Sequence, residues 1–152
     1  MSYTISNGIN LETALTIFAV LKTSSNIKGP IISGATGAFD YNTSENAGTY
    51  QQGADISNTG NLGHGNLAQT SSAVQMNVTY NAASLIFRIG SAVDGTTSIS
   101  TAVTATETTI GYDAGGGNYL PAVLCELIIY NTVQTLANIE LVESYLNTRY
   151  AV

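Results

Sequence analysis

Two carboxylates set close together on one strand, one as nucleophile and one as acid, are what sugar-bond hydrolysis needs. The sequence has ten acidic residues, yet no Glu-x-Asp-x-x-Glu or similar strand pair. Its close pair, Glu140 and Glu143, falls on the polar side of a C-terminal helix, where solvation is the expected role. Glu126 is the one carboxylate inside an apolar strand, and it shares a face with Leu124, Ile128 and Tyr130. If buried it needs a partner, and Arg149, Arg88 or backbone amides could supply one. The favoured reading is a structural tie between Glu126 and Arg149, so that Glu126→Ala lowers the melting temperature. No catalytic residue is expected.

His64 is the single histidine, set between Gly63 and Gly65, and one imidazole without nearby thiols or dense carboxylates does not make a zinc site. Cys125 is the single cysteine. It sits in an apolar run, where burial raises a thiol's pKa and suppresses the reactive thiolate. The Gly115-Gly116-Gly117 stretch lacks the Lys-Ser/Thr and the following helix of a phosphate loop. Asp40, Asp55, Asp94 and Asp113 read as lying in or beside loops, with no two spaced as an obvious site, so no metal or cofactor is expected. Four of the nine tyrosines, Tyr41, Tyr50, Tyr112 and Tyr119, fall in or near loops. Exposed tyrosines stack on sugar rings or anchor protein interfaces, so these four are the candidate ligand or interface residues.

Composition then narrows the partners. Charged residues are only 9% of the chain, against about a quarter in ordinary domains, and Ser, Thr and Asn supply the polar surface instead. These residues favour strands and turns over helix interiors. The net charge is −6, and only Lys22, Lys28, Arg88 and Arg149 are basic. Four scattered cations cannot neutralise a run of phosphates, so neither nucleic acid nor an anionic membrane is an expected partner. The opening MSYTISNGIN has no basic start and no apolar core, so no signal peptide is expected.

The elements that must position these residues are mostly strands. Residues 13–22 carry two apolar rows, Leu15/Ile17/Ala19/Leu21 and Ala14/Thr16/Phe18/Val20, and predict a central strand covered on both faces. Lys28–Ser33 predicts a shorter strand, with Pro30 marking an edge or bulge. Short strands are expected near Ala38–Tyr41 and Thr49–Ala54, and Asn58–Asn66 reads as loop. Ala73–Tyr80 and Ser84–Ile89 predict a hairpin through Asn81-Ala82-Ala83. Its first strand alternates Val74, Met76, Val78 and Tyr80 with Gln75, Asn77 and Thr79, the pattern of one wet face. Thr97–Val103 and Thr108–Tyr112 read as strands, and Asp113–Asn118 as a turn. Ala122–Tyr130 is the most hydrophobic strand. Thr135 then caps a helix over about 136–149, whose stripe is Leu136, Ile139, Val142, Tyr145 and Leu146.

The run Cys125-Glu-Leu-Ile-Ile-Tyr-Asn131 and the helix ending Tyr145-Leu146-Asn-Thr-Arg149-Tyr150 resemble the closing segment of concanavalin A-like, laminin-G-like domains. Glu126, Tyr130, Asn131, Tyr145, Leu146, Arg149 and Tyr150 match that segment position by position. Leu15–Leu21 and Ile110-Gly111 are similar to further family strands, while the stretch between matches weakly and the loops are smaller. The resemblance implies an all-β fold: a concanavalin A-like jelly-roll sandwich of two antiparallel sheets with one C-terminal α-helix, one lectin-like domain over 1–152. It also raises calcium, which such domains often bind through loop Asp and carbonyl oxygens. The functional expectation is a non-enzymatic structural or adhesion protein of a virus particle, such as a bacteriophage decoration, tail or baseplate component. It would be a homo-oligomer among other virion proteins, assembled in the host cytoplasm. The alternative is a carbohydrate-binding module whose partners are glycans.

Overall fold

The computed structural model of the chain describes residues 3–6, 14–22, 29–34, 39–46, 49–56, 72–99, 107–112, 117 and 119–152. They form strands β1 (Tyr3–Ser6), β2 (Leu15–Lys22), β3 (Gly29–Gly34), β4 (Phe39–Asn46) and β5 (Thr49–Ile56). These are followed by β6 (Ala73–Tyr80), β7 (Ser84–Ile89), β8 (Ala92–Ser98), β9 (Glu107–Ile110), β10 (Val123–Tyr130) and one helix, α1 (Leu136–Tyr150). Two five-stranded sheets result: sheet A in the order β1-β9-β3-β4-β5 and sheet B in the order β10-β2-β6-β7-β8. Every pairing between neighbours is antiparallel.

The two rows of β2 divide as the alternation predicts. Leu15, Ile17, Ala19 and Leu21 enter the core between the sheets with Ile31, Ile32 and Tyr41 of sheet A and with Met76, Val78, Tyr80 and Phe87 of sheet B. Phe18 and Val20 point the other way and pack under α1 against Ile139 and Leu146. Each fully buried side chain of this size stabilises the fold by roughly 1.5–3 kcal/mol before chain entropy is counted. Such a strand can lie only inside a sheet whose outer face is covered.

Three expectations change. The polar row of β6 is not wet: Gln75, Asn77 and Thr79 are at most 5% exposed, because α1 lies on that face of sheet B. Pro30 does produce a bulge, between Pro30 and Ile32, but β3 is no edge strand; it sits between β9 and β4. The slipped register puts both Ile31 and Ile32 in the core. In β4 and β5 the short strands become a hairpin of two eight-residue strands, while β1 carries too short a pattern to be predicted. The loop over Asn58–Asn66, including His64, lies outside the described residues, as do 100–103 and most of the Asp113–Asn118 turn.

The β6–β7 hairpin turns as expected. The Asn81 carboxamide oxygen accepts from the backbone N–H of Ala83 and Ser84 at 3.0 and 2.7 Å, and Ala82 takes the left-handed conformation at φ 65°. The Thr135 hydroxyl oxygen accepts from the Asn138 N–H at 3.3 Å, capping α1. Ala151, at φ 55°, closes the other end by donating to the Asn147 carbonyl at 2.9 Å. Thr16 fixes the approach to the helix: its hydroxyl donates to the Thr132 carbonyl and accepts from the Gln134 N–H. Among the described residues no helix is long and apolar enough to cross a membrane.

Candidate functional site

The helix seals one sheet and leaves the other without a helical cover among the described residues, so the faces differ in what they can offer a ligand. On sheet A the polypeptide leaving β9 passes Gly111 and Tyr112, then returns through Tyr119 and Leu120. Gly111, at φ +71°, turns the chain where a side chain would be strained. Its N–H donates to the Ile31 carbonyl of β3 at 3.0 Å, and its carbonyl accepts from the Leu120 N–H at 2.9 Å. Tyr112 and Tyr119 thereby pair as an isolated antiparallel bridge, and the Thr109 hydroxyl donates to the Tyr112 carbonyl. The returning strand presses onto β3 at Gly29, where a Cβ would stand 2.7 Å from the Tyr119 carbonyl oxygen and 2.9 Å from the Leu120 Cα.

This backbone frame sets the two phenol rings against each other, 4.8 Å between centroids and tilted by 37°. Tyr112 is half-buried, whereas Tyr119 is 59% exposed. The inner ring backs the outer one and restricts its rotamers, leaving a firm aromatic surface open to solvent. Such a surface can receive the apolar face of a sugar ring or a partner's side chain, and its rigidity lowers the entropy lost on binding. Of the four tyrosines singled out in the sequence, these two come together.

The other two do not join them. Tyr41 is not a surface residue: it is fully buried in the core, and its hydroxyl donates to the Gln52 Oε1 at 2.9 Å. Burial, and then the charge of Asp94, push its phenol well above the usual tyrosine range. The loop assigned near Tyr41 is in fact the middle of β4. Tyr50 lies in β5 opposite Glu45. The aspartates considered for calcium are likewise not loop residues: Asp40, Asp55 and Asp94 lie in β4, β5 and β8. Asp40 and Asp55 are cross-strand partners, a proximity that their separation in sequence hides. Asp94 accepts from the Gln52 side chain at 3.3 Å, and Gln52 also donates to the Arg88 carbonyl at 3.0 Å, linking sheet A to sheet B. Among the described residues no group of three or more His, Cys, Asp or Glu is placed to hold a metal.

Glu126 and Arg149 stand 3.4 Å apart. Glu126 also accepts from the Tyr150 hydroxyl at 2.8 Å and the Tyr145 hydroxyl at 3.3 Å, while Arg149 donates to the Tyr145 oxygen at 2.7 Å. The guanidinium lies 5.8 and 5.6 Å from the two ring centroids. The carboxylate hydrogen bond holds the Tyr150 phenol above its ordinary pKa. A bulge between Leu124 and Glu126 corrects the face assigned to Glu126. Leu124 packs into the sandwich core, whereas Ile128 and Tyr130 pack beneath the helix. Cys125 is half-buried at this bulge beside the same helix-facing cluster.

One functional residue of the scaffold is misplaced by sequence reasoning. Glu143 is not solvated: its side chain is 1% exposed and receives Arg88 through two bonds, Nε at 2.7 Å and Nη2 at 3.0 Å. The Asn77 side-chain amide donates to the same carboxylate at 2.9 Å, and Arg88 reaches the Ser91 carbonyl. Glu143 holds the Arg88 guanidinium firmly charged, chiefly through these hydrogen bonds. The buried row of α1 is Ile139, Glu143 and Leu146, flanked by half-buried Val142 and Tyr150, while Leu136 and Tyr145 are 57% and 45% exposed. The signal was positional, since Glu143 lies four residues after Ile139 and three before Leu146.

No family model matches the sequence, and no curated protein does either. Solved structures do match. The heptameric SAP-like pentraxin of Limulus polyphemus superposes with a TM-score of 0.72 at 17% identity, over 87% of this chain and 70% of that one. CBM40 of the Ruminococcus gnavus IT-sialidase, bound to α2,3-sialyllactose, gives 0.66 at 12% identity, over 87% and 83%. Domains LG4-5 of the mouse laminin α1 chain give 0.66 at 8% identity, over 90% of this chain and 40% of that one. The fold is therefore the concanavalin A-like, laminin-G-like jelly roll, with antiparallel sheets and one C-terminal helix.

Proposed function

We propose that this chain is a non-enzymatic carbohydrate-binding domain whose ligand rests on Tyr119. The exposed, backed tyrosine pair on the sheet without a helix carries this reading. Likeness to a sugar-bound CBM40 structure supports it over the particle-component expectation, to which none of the three neighbours reported above lends support. One face of a tyrosine ring covers roughly 75 Å², so losing its burial removes about 2 kcal/mol. That corresponds to an affinity loss of more than about tenfold.

A glycan array followed by calorimetry on the best hit tests the reading. Wild type should give hits that free sugar competes away. Tyr119→Ala should weaken them by at least about tenfold with an unchanged melting temperature, because the side chain is mostly exposed. No competable hit, or a Tyr119→Ala variant that binds as well as wild type, refutes it.

A further inference from the structure

We infer that the ligand of this site is an uncharged glycan, and that the site discriminates against sialylated and other anionic sugars. The inference rests on the sugar-binding reading and goes beyond it by fixing the charge class of the ligand. A sialic acid carboxylate is ionised at neutral pH, and recognising it requires a free cation or a set of aimed donors. Sheet A, from which the tyrosine bridge extends, offers no side-chain cation. Its five strands contain Asp40, Glu45, Asp55 and Glu107, and not one Lys, Arg or His.

The basic residues among the described positions are placed or engaged elsewhere. Arg88 is buried against Glu143, with its remaining donor on the Ser91 carbonyl. Arg149 is tied to Glu126 and to the Tyr145 oxygen on the helix side of the molecule. Lys22 ends β2, opposite Val123 and Ala73 in sheet B. Lys28, outside the described residues, is the one remaining base of the sequence, set against a net charge of −6. An anionic sugar approaching Tyr119 therefore meets a negative field. A neutral sugar meets an aromatic platform and pays no such penalty. A ligand like the α2,3-sialyllactose of the CBM40 structure is thus disfavoured here despite the shared fold.

The test uses matched pairs on one array, each neutral oligosaccharide beside its sialylated or sulfated form, with lactose and α2,3-sialyllactose as one pair. Wild-type protein and Tyr119→Ala are both assayed. The expected result is binding to neutral members, with their acidic partners weaker by about tenfold or more. The gap should narrow between about 0.1 M and 1 M salt, as the Debye length falls from about 10 to 3 Å. Equal or tighter binding of the acidic members, with Tyr119→Ala still abolishing it, overturns this inference and leaves the sugar-binding reading standing. Silence across the array, or insensitivity to Tyr119→Ala, removes the sugar-binding reading and this inference with it.

Discussion

Glu140 and Glu143 are three residues apart on one helix, yet their removal should have opposite consequences. Glu143→Leu deletes a carboxylate that is 1% exposed and leaves Arg88, itself 7% exposed at its side chain, with a single carbonyl partner. Breaking a buried pair from one side costs about 3–5 kcal/mol, because an uncompensated charge stays behind. Asn77 also loses the acceptor of its amide, adding about 1 kcal/mol. For a chain of this length 1 kcal/mol moves the midpoint by roughly 2–4 °C, so the melting temperature should fall by about 8–20 °C. Glu140→Ala, at an exposed position, should stay within about 0.5 kcal/mol of wild type. Adding Arg88→Met to Glu143→Leu should recover much of the loss, since an apolar pair no longer strands a charge. Chemical denaturation of the four proteins measures all of this. If Glu143→Leu is as mild as Glu140→Ala, α1 does not dock through this ion pair and the burial of its polar row is wrong.

Other perturbations follow from the same contacts. Gln75 is 1% exposed and neither atom of its amide has a hydrogen-bond partner; Gln75→Met should stabilise by about 1–2 kcal/mol, and a lower midpoint in urea would contradict that. Glu126→Ala should cost about 1 kcal/mol, since the carboxylate gathers Tyr150, Tyr145 and Arg149 at a half-exposed corner; an unchanged midpoint by calorimetry would show the tie to be idle. The Tyr41 phenol is held above its ordinary range of about 10, so its contribution is complete below that pH and is lost as pH rises through the folded value. Absorbance titration near the alkaline limit should show Tyr41 ionising only together with unfolding, and Tyr41→Phe should remove that component; independent early ionisation would place it at the surface.

The sequence made the periodic parts of this fold legible and obscured the places where one residue breaks a period. In β2, two apolar rows sufficed to predict burial on both faces, and the Asn81 turn and Thr135 cap were local chemistry. The bulge at Cys125 has no sequence marker, and it moves Glu126 off the face of Leu124. Glu143 was assigned by its type rather than its position; its partner Arg88 is 55 residues away in sequence, and nothing local announces it. Gln75, Asn77 and Thr79 look solvated because an alternating strand cannot reveal what covers it. The contact of Tyr112 with Tyr119 was hidden for a further reason: it depends on β3 coming close enough at Gly29 to hold the returning strand in place.

The scarcity of cations, read first as a bar to nucleic acid, gains a second meaning from where the cations lie. Two of the four, Arg88 and Arg149, fasten α1 to sheet B. Docking a helix over a strand whose facing row is Gln75, Asn77 and Thr79 gains less hydrophobic stabilisation than an apolar row would give. The ion pair and the Asn77 hydrogen bond supply orientation there, so half of the chain's positive charge is committed to architecture. Recognition must then rely on what remains: aromatic faces, amides, hydroxyls and carboxylates. For an uncharged sugar that set is sufficient, because ring stacking gives affinity and neutral polar groups give specificity. The same arrangement that makes the helix side rigid thereby narrows the ligand chemistry open to the other side.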